Sequence, residues 1–327
     1  MLITFLRYYW HRRRAATTGA EGGFTLIELL VTIFLASGIV SGLMYLAVEV
    51  LQLDQRESDR TETQRDMQAA LTFIESELRQ AVFVYDADCL NGVLEVPGDD
   101  ESGCIEIAEW GLNLPGDMTP VLAFWRLQPF PSNVRAACAG GSTPEELRNI
   151  PCLAGSSYTL VVYSLGTRGG GGDELAALNG EAGIFRTEMS IDEADGSGYV
   201  SPFRGTTPNF ERWPDNVTAG APGPDYSEPA LLVDYVNAGG GPVEETPECP
   251  APANFYQLVP NGDPRSFYAC VSDSDTPSAA AGNQDVILYL RGDAEGRSGI
   301  QGDDGFLPAL ESRVFIRGTL EKEPSLD

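Results

Sequence analysis

Lysine and histidine are almost absent from this chain of 327 residues, which contains one lysine, Lys322, and one histidine, His11. His11 lies among the first 23 residues, a segment that we expect to be removed, so the mature chain would contain no imidazole. Ser-His-Asp and Cys-His catalysis both need an imidazole, as does a His-ligated zinc site. These catalytic and metal-binding classes are therefore excluded, and no cysteine pair has the C-x-x-C spacing of a zinc ligand set.

Basic residues are scarce, with 21 Lys and Arg against 48 Asp and Glu and a formal net charge of -27. Nucleic-acid binding depends on neutralising phosphates with Lys and Arg, so a duplex is excluded as a partner. The hydrophobic share of 43% is nevertheless ordinary for a folded protein. The chain is long enough to bury a core in one or two domains and is not a disordered acidic tail.

Proline is absent between Phe24 and Tyr85, a stretch of 62 residues. A continuous helix of this length would measure about 93 Å. Its first part, 24–48, is apolar with a single charge and is long enough to cross a hydrocarbon core of about 30 Å. The later part has an apolar stripe at helical spacing, which predicts a face packed on a globular head. The stripe consists of Met67, Leu71, Ile74, Leu78 and Val82, widened by Phe73, Ala81 and Tyr85.

The N-terminal 23 residues have the opposite charge balance from the rest of the chain. Four arginines, Arg7, Arg12, Arg13 and Arg14, are set against one acid, Glu21. Cationic flanks stay on the cytoplasmic side while the following apolar run enters the bilayer. A plain single-pass anchor would account for the arginines and the apolar length, but it would not account for a carboxylate inside the apolar run.

That carboxylate is Glu28, and a charged group inside a membrane usually marks a function with a specific partner. Cleavage between Gly23 and Phe24 would create a free α-amine close to it. In a row of related helices, each carboxylate could then pair with the amine of a neighbour.

Gly38 and Gly42 form a G-x-x-x-G pair, which permits close helix packing but also lowers helix propensity, so both packing and local melting stay open.

Short apolar runs separated by Gly, Pro and Asp follow Asp88, which predicts an antiparallel β head with long loops. The fold class is therefore α+β. The predicted divisions are a cytoplasmic leader (1–23), a transmembrane and assembly helix (24–50), an amphipathic helix on the head (51–85) and an exported β-rich head (86–327). The predicted strands are Ile105–Trp110, Val121–Leu127, Tyr158–Leu165, Ile184–Ile191, Leu231–Val236, Phe267–Val271, Val286–Arg291 and Arg313–Arg317.

Six cysteines all lie in the part predicted to be exported, where an oxidising environment favours disulfides. Six cysteines allow fifteen connectivities. Pairing between neighbours would close short loops and suit a meandering chain. The neighbour pairs are Cys89 with Cys104, Cys138 with Cys152, and Cys249 with Cys270.

The run Gly22-Gly23-Phe24-Thr25-Leu26-Ile27-Glu28-Leu29-Leu30 resembles the prepilin signal of type IV pilins and type II secretion pseudopilins. The resemblance implies that a prepilin peptidase cuts after Gly23 and methylates the new N-terminal Phe24, with Glu28 serving assembly. It also implies a pilin-like fold, in which one long helix packs on an antiparallel sheet. Stretch 64–81 is similar to the helix of J-type minor pseudopilins and the related PilW group. Segment 288–292 is similar to pseudopilins of cyanobacterial polysaccharide secretion.

The expected function is a non-enzymatic minor pilin or pseudopilin subunit, placed near the tip of a type IV pilus or type II secretion-like pseudopilus. Its expected partners are the prepilin peptidase, other pilins or pseudopilins, the inner-membrane assembly machinery and membrane lipid. Its expected location is the bacterial inner membrane, single-pass, with the leader cytoplasmic and the head periplasmic. After assembly it would lie in an extracellular filament or a periplasmic pseudopilus. The alternative is an adhesin or ligand-binding module displayed on the same anchor.

No cofactor is expected, although some pseudopilin heads bind calcium through oxygen-rich loops. Four acidic clusters would suit that ion, but none has the spacing of an EF-hand loop, and solvated acidic loops are the simpler interpretation. No spacing selects a pair of catalytic carboxylates either. The clusters are 99–101, 192–196, 273–275 and 303–305.

Overall fold

The computed structural model divides the chain into two compact units, Met1–Asp54 and Gln55–Asp327. The boundary falls within a single long helix, α1. The structure describes residues 23–90, 104–105, 107–116, 118–141, 152, 155–189, 198–204, 207–208, 210–214, 223–239, 248–252, 255–260, 266–272, 283–295, 297 and 307–317. The four acidic clusters and residues 1–22 of the leader lie outside these ranges.

Four α-helices and eleven strands make up the regular structure of these ranges. The helices are α1 (Leu26–Leu78), α2 (Ala87–Leu90), α3 (Ser132–Ala139) and α4 (Asp173–Ala176), with a 3-10 turn at Ile107–Trp110. The strands are β1 (Ala81–Val84), β2 (Thr119–Pro129), β3 (Ser156–Thr167), β4 (Ala182–Glu188), β5 (Phe203–Arg204), β6 (Thr207–Pro208), β7 (Ala230–Val236), β8 (Tyr256–Val259), β9 (Phe267–Ser272), β10 (Asn283–Arg291) and β11 (Ala309–Arg317).

Helix α1 ends seven residues before the predicted end at Tyr85. Arg79 and Gln80 form a turn, and Ala81–Val84 then becomes strand β1. The sequence Ala-Val-Phe-Val is rich in β-branched and aromatic residues, and β1 pairs with β2 in antiparallel register. Sheet pairing therefore prevails over the helical spacing of Val82 and Tyr85, and the head begins at Ala81 rather than at residue 86.

The residues of the predicted stripe that lie in α1 are buried, with one exception. Phe73 is 43% exposed, whereas the neighbouring Ile74 is fully buried. One residue turns a helix by about 100°. Phe73 therefore lies outside the column that faces the core. The buried side chains of α1 are Thr63, Met67, Ala70, Leu71, Ile74, Glu77 and Leu78.

Two antiparallel sheets form the head, as the α+β prediction requires. The larger sheet has the order β1-β2-β3-β4-β7, and the smaller has the order β11-β10-β9-β8. Strand β8 and a short ribbon of β5 and β6 were not among the predicted strands. Side chains from α1 and from both sheets share one continuous core.

The side chain of Gln284 joins the two sheets by forming hydrogen bonds with backbone groups of β1, as a neighbouring strand would. The Gln284 Oε1 atom accepts a hydrogen bond from the Val84 N–H at 2.8 Å, and its Nε2 atom donates to the Val84 carbonyl at 2.7 Å. Gln284 belongs to β10 and Val84 to β1. Since both groups are buried, these hydrogen bonds satisfy backbone polarity that would otherwise be costly.

Ile105–Trp110 was predicted as a strand, and this was wrong. Residues 107–110 form a 3-10 turn, and the Trp110 indole N–H donates to the Ile105 carbonyl at 3.0 Å. Trp110 is fully buried beside Tyr85, with ring centroids 4.5 Å apart. Burial of the large indole and its local hydrogen bond favour the turn over an extended strand.

All six cysteines are paired with their neighbours along the chain, which is the pairing that short loops favoured in the sequence. The bonds are Cys89–Cys104, Cys138–Cys152 and Cys249–Cys270, with sequence separations of 15, 14 and 21. Closing a loop of about 15 residues contributes about 3 kcal/mol in the chain-entropy model. The three bonds stabilise separate local segments of the head.

A buried carboxylate, Glu77, attaches α1 to the larger sheet. Arg186 donates to it from Nε and Nη2, both at 2.9 Å, Arg126 lies 3.5 Å away, and the Tyr163 hydroxyl also donates to it. The two arginines in turn contact Glu188, Arg126 at 3.2 Å and Arg186 at 2.6 Å. The cluster therefore holds two cations and two anions, and one of its anions comes from the helix.

Burial alone would raise the pKa of Glu77, but hydrogen bonds from Arg186 and Tyr163 and the nearby arginine charges outweigh it. The pKa of Glu77 is therefore held below its ordinary value of 4.5. A carboxyl group with a lowered pKa stabilises the folded state above its unfolded pKa. That stability is lost as pH falls through the folded pKa.

We expect Glu77→Gln to lower the free energy of unfolding by about 3 kcal/mol at neutral pH, because it leaves the arginines without their buried partner. Below about pH 4.5, the free energy of unfolding of the variant should fall less steeply than that of the native protein. The measurement is urea unfolding of the full chain in detergent, followed by fluorescence of the buried Trp110, Trp125 and Trp213. Glu57→Gln, on the exposed side of the same helix, is the control. If the free energy of unfolding depended on pH equally in both variants, this role for Glu77 would be contradicted.

Candidate functional site

The bond between Gly23 and Phe24 lies in exposed backbone outside any helix. Residues 23–25 have no regular secondary structure, and Phe24 is 82% exposed. Helix α1 begins two residues after Phe24, at Leu26. A protease needs an accessible peptide outside regular structure, and this bond meets both conditions on the side that the structure describes.

Glu28 occupies the first turn of α1. Its backbone N–H donates to the Thr25 carbonyl at 3.1 Å and lies 3.4 Å from the Thr25 hydroxyl oxygen, so Thr25 acts as the N-cap. The spacing Thr-x-x-Glu is that of a capping box, and a negative charge near a helix N-terminus is favoured by the helix dipole. A glutamate therefore suits the local structure at this position.

The apolar segment that follows is exposed along its whole length. Within the described residues, α1 is the one helix long and apolar enough to cross a membrane, and none of its apolar window is buried in the molecule. Two hydroxyls inside it are satisfied locally, since Thr32 donates to the Leu29 carbonyl and Ser37 to the Phe34 carbonyl, both at 2.9 Å. The segment therefore exposes little polarity along its sides.

Gly38 and Gly42 lie one turn apart on this segment, and both open onto empty space. A Cβ atom added at either position would meet nothing within 4 Å. Their missing side chains leave a shallow site where another helix could approach closely. Both glycines are in the helix.

The predicted site residues fall into two groups. Gly23, Phe24, Glu28, Gly38 and Gly42 belong to the unit Met1–Asp54 and lie along a single segment. The six cysteines belong to the other unit and form disulfides. Within the described residues, no group of three or more His, Cys, Asp or Glu side chains could hold a metal ion.

Two polar clusters of the head were not found from the sequence. One is the Glu77 cluster, where burial together with Glu77 raises the pKa of Tyr163. In the other, Arg313 donates to Asp285 and Tyr256, and burial raises the pKa of Tyr256 to about 12. The sequence contains one signal for the first cluster, because Glu77 is an acid next to the apolar stripe of the helix. It contains no such signal for the second cluster.

No protein-family model, curated protein or solved structure matches this chain.

We expect Leu35→Arg to remove the chain from membranes that have been washed with alkaline carbonate. Arg near the centre of a membrane helix costs about 3 kcal/mol, which corresponds to a loss of about a hundredfold in the insertion equilibrium. Leu53→Arg, near the polar end of the segment, is the matched control and should stay in the membrane fraction. Equal retention of both variants would show that the segment does not reside in a bilayer.

Proposed function

We propose that this protein is a minor pilin or pseudopilin subunit. A prepilin peptidase hydrolyses the bond after Gly23 and methylates the amine of Phe24. The helix that follows holds the subunit in the bacterial inner membrane, with the leader cytoplasmic and the head periplasmic. It then packs with related helices in a type IV pilus or a type II secretion-like pseudopilus. The role is assembly rather than catalysis.

One observation carries this proposal. The Gly23–Phe24 bond is exposed and non-helical, Glu28 lies in the first helical turn, and an apolar surface without internal contacts comes directly after it. A simple anchor needs only the apolar surface. The combination supports a helix that is first held by lipid and then transferred to a bundle of similar helices, where Gly38 and Gly42 permit close contact.

Glu28 would supply the register of that bundle. A carboxylate in the apolar part of a membrane is costly unless it finds a partner. The methylated amine of a neighbouring Phe24 would provide a positive charge at the matching depth. The Glu28 carboxylate would then be paired only when two subunits are aligned. This favours assembly in one register.

The head supports a place at the tip rather than along the shaft. It contains two sheets joined through one core and three disulfides. A shaft subunit repeats many times and favours a compact head, whereas a tip subunit has room for larger loops.

The direct test is intact-mass and N-terminal peptide analysis of protein from cells with and without the prepilin peptidase. We expect a chain that starts at methylated Phe24 when the peptidase is present and uncleaved protein when it is absent. A start at another residue, or cleavage that does not depend on the peptidase, would reject the pilin pathway for this chain.

Glu28→Gln is expected to be processed normally but to be lost from sheared filaments or from the pseudopilus fraction. The amide keeps the size and the helical position while removing the charge that pairs with the amine. Glu28→Asp, which keeps the charge, should recover part of the incorporation. Incorporation of Glu28→Gln at the level of the native protein would rule out the pairing, even if processing occurs as proposed.

A further inference from the structure

The outward face of the smaller sheet carries aromatic and ionic side chains. Alternate residues of a strand point to opposite faces. On β10, Leu288 and Leu290 are buried in the main core, as are Val314 and Ile316 on β11. Phe267 and Ala269 of β9 are buried in the same core, so the residues that alternate with these positions on the three strands face away from it. Part of that outward face is covered, because Cys270 and Ile287 are buried there with Tyr256 in a second, smaller cluster. We call six of these outward residues the outer strip: Tyr268, Tyr289, Arg291, Glu311, Arg313 and Phe315.

Aromatic rings lie at both ends of the outer strip. Tyr268 and Tyr289 are directly opposite each other on β9 and β10, with ring centroids 4.7 Å apart and planes 14° from parallel. Tyr289 also pairs with Glu311 on β11. Phe315 comes four residues after Glu311, so it lies about 13 Å further along the strand. A ligand that contacts both ends must be extended.

Phe315 is 67% exposed, more than any other large apolar side chain in the described residues of the unit Gln55–Asp327. Exposed aromatic surface is unfavourable in water, and single exposed residues are common. Here, however, the ring has a fixed partner. The Arg313 guanidinium lies over it at 4.8 Å and is itself held by Asp285, with Nε and Oδ2 2.9 Å apart. The ring and the cation therefore form an ordered pair.

Hydrogen-bonding groups of both kinds lie between and beside the rings. Glu311 offers acceptors, while Arg291 and Arg313 offer donors. Burial raises the pKa of both Tyr268 and Tyr289, so their hydroxyls stay protonated at neutral pH and can donate as well as accept. A small cavity of about 120 Å³ is lined in part by Tyr268, Tyr289 and Arg291. It can receive a short polar substituent of a ligand.

We propose that the outer strip binds a neutral oligosaccharide. A sugar ring has a face of C–H groups that stacks on an aromatic ring, and hydroxyls at its rim that both donate and accept hydrogen bonds. The outer strip presents both features along an extended surface. A peptide strand would instead seek the backbone groups of a sheet edge.

The charge of the site indicates a neutral ligand rather than an anionic one. The chain as a whole carries a net charge of -27 and repels polyanions. Within the site, the cations Arg291 and Arg313 are balanced by the anions Glu311 and Asp285. This binding activity goes beyond the assembly function and does not depend on it, because it requires only the folded head.

The test uses the full-length protein in detergent and three probes, which are hexamers of β-1,4-linked glucose, N-acetylglucosamine and mannose. Isothermal titration calorimetry should show saturable binding of at least one of them. Phe315→Ala and Tyr289→Ala should each raise its Kd about tenfold through the loss of ring stacking. Phe73→Ala, which removes an exposed ring from α1, is the matched control and should leave the Kd unchanged.

Urea unfolding midpoints equal to that of the native protein would show that the variants are folded. The proposal is overturned if none of the three hexamers binds at about 10 mM, a concentration above that of even weak specific binding. It is also overturned if Phe73→Ala weakens binding as much as Phe315→Ala does. Neither result would bear on cleavage after Gly23, so failure of this site and failure of the assembly function can be told apart.

Discussion

A buried carboxylate, Glu77, orients the C-terminal part of α1 on the larger sheet. Glu77 must face Arg126 and Arg186, because an unpaired charge at that depth would be strongly unfavourable. This requirement fixes the rotation of the helix about its own axis. Residues three and seven positions earlier, Ile74 and Ala70, then face the core, whereas Phe73 faces outward. The apolar contacts supply most of the burial, and the ionic cluster selects one orientation for them.

The same helix has two kinds of surroundings along its length. From Leu26 to Asp54 none of its side chains is buried, whereas from Thr63 onward one face is packed against the sheets. The apolar side chains of the first part are not covered by the described residues of the chain. The first part has an apolar surface that lipid or other helices could cover, and the second part already packs on the head. In the function proposed above, membrane retention and assembly would each cover the same exposed apolar surface.

The parts of the fold that depend on local pattern could be predicted, and those that depend on distant contacts could not. Strands such as β3 and β10 are clear from their apolar runs and flanking turn residues. The segment Ala81–Val84 fits both a helical and an extended spacing, and only pairing with β2 decides between them. The Glu77 cluster joins residues more than 100 positions apart. The residues around Gly23 and Glu28, by contrast, form a continuous motif that is visible in the sequence.

The spacing of the cysteines has a consequence for oxidative folding. Each half-cystine finds its partner 14 to 21 residues later along the chain, before the next pair begins. The entropy of loop closure favours near partners over distant ones. If the head is exported as proposed, each bond can close before the next pair of thiols emerges. The order of emergence would then favour the connectivity between neighbouring cysteines.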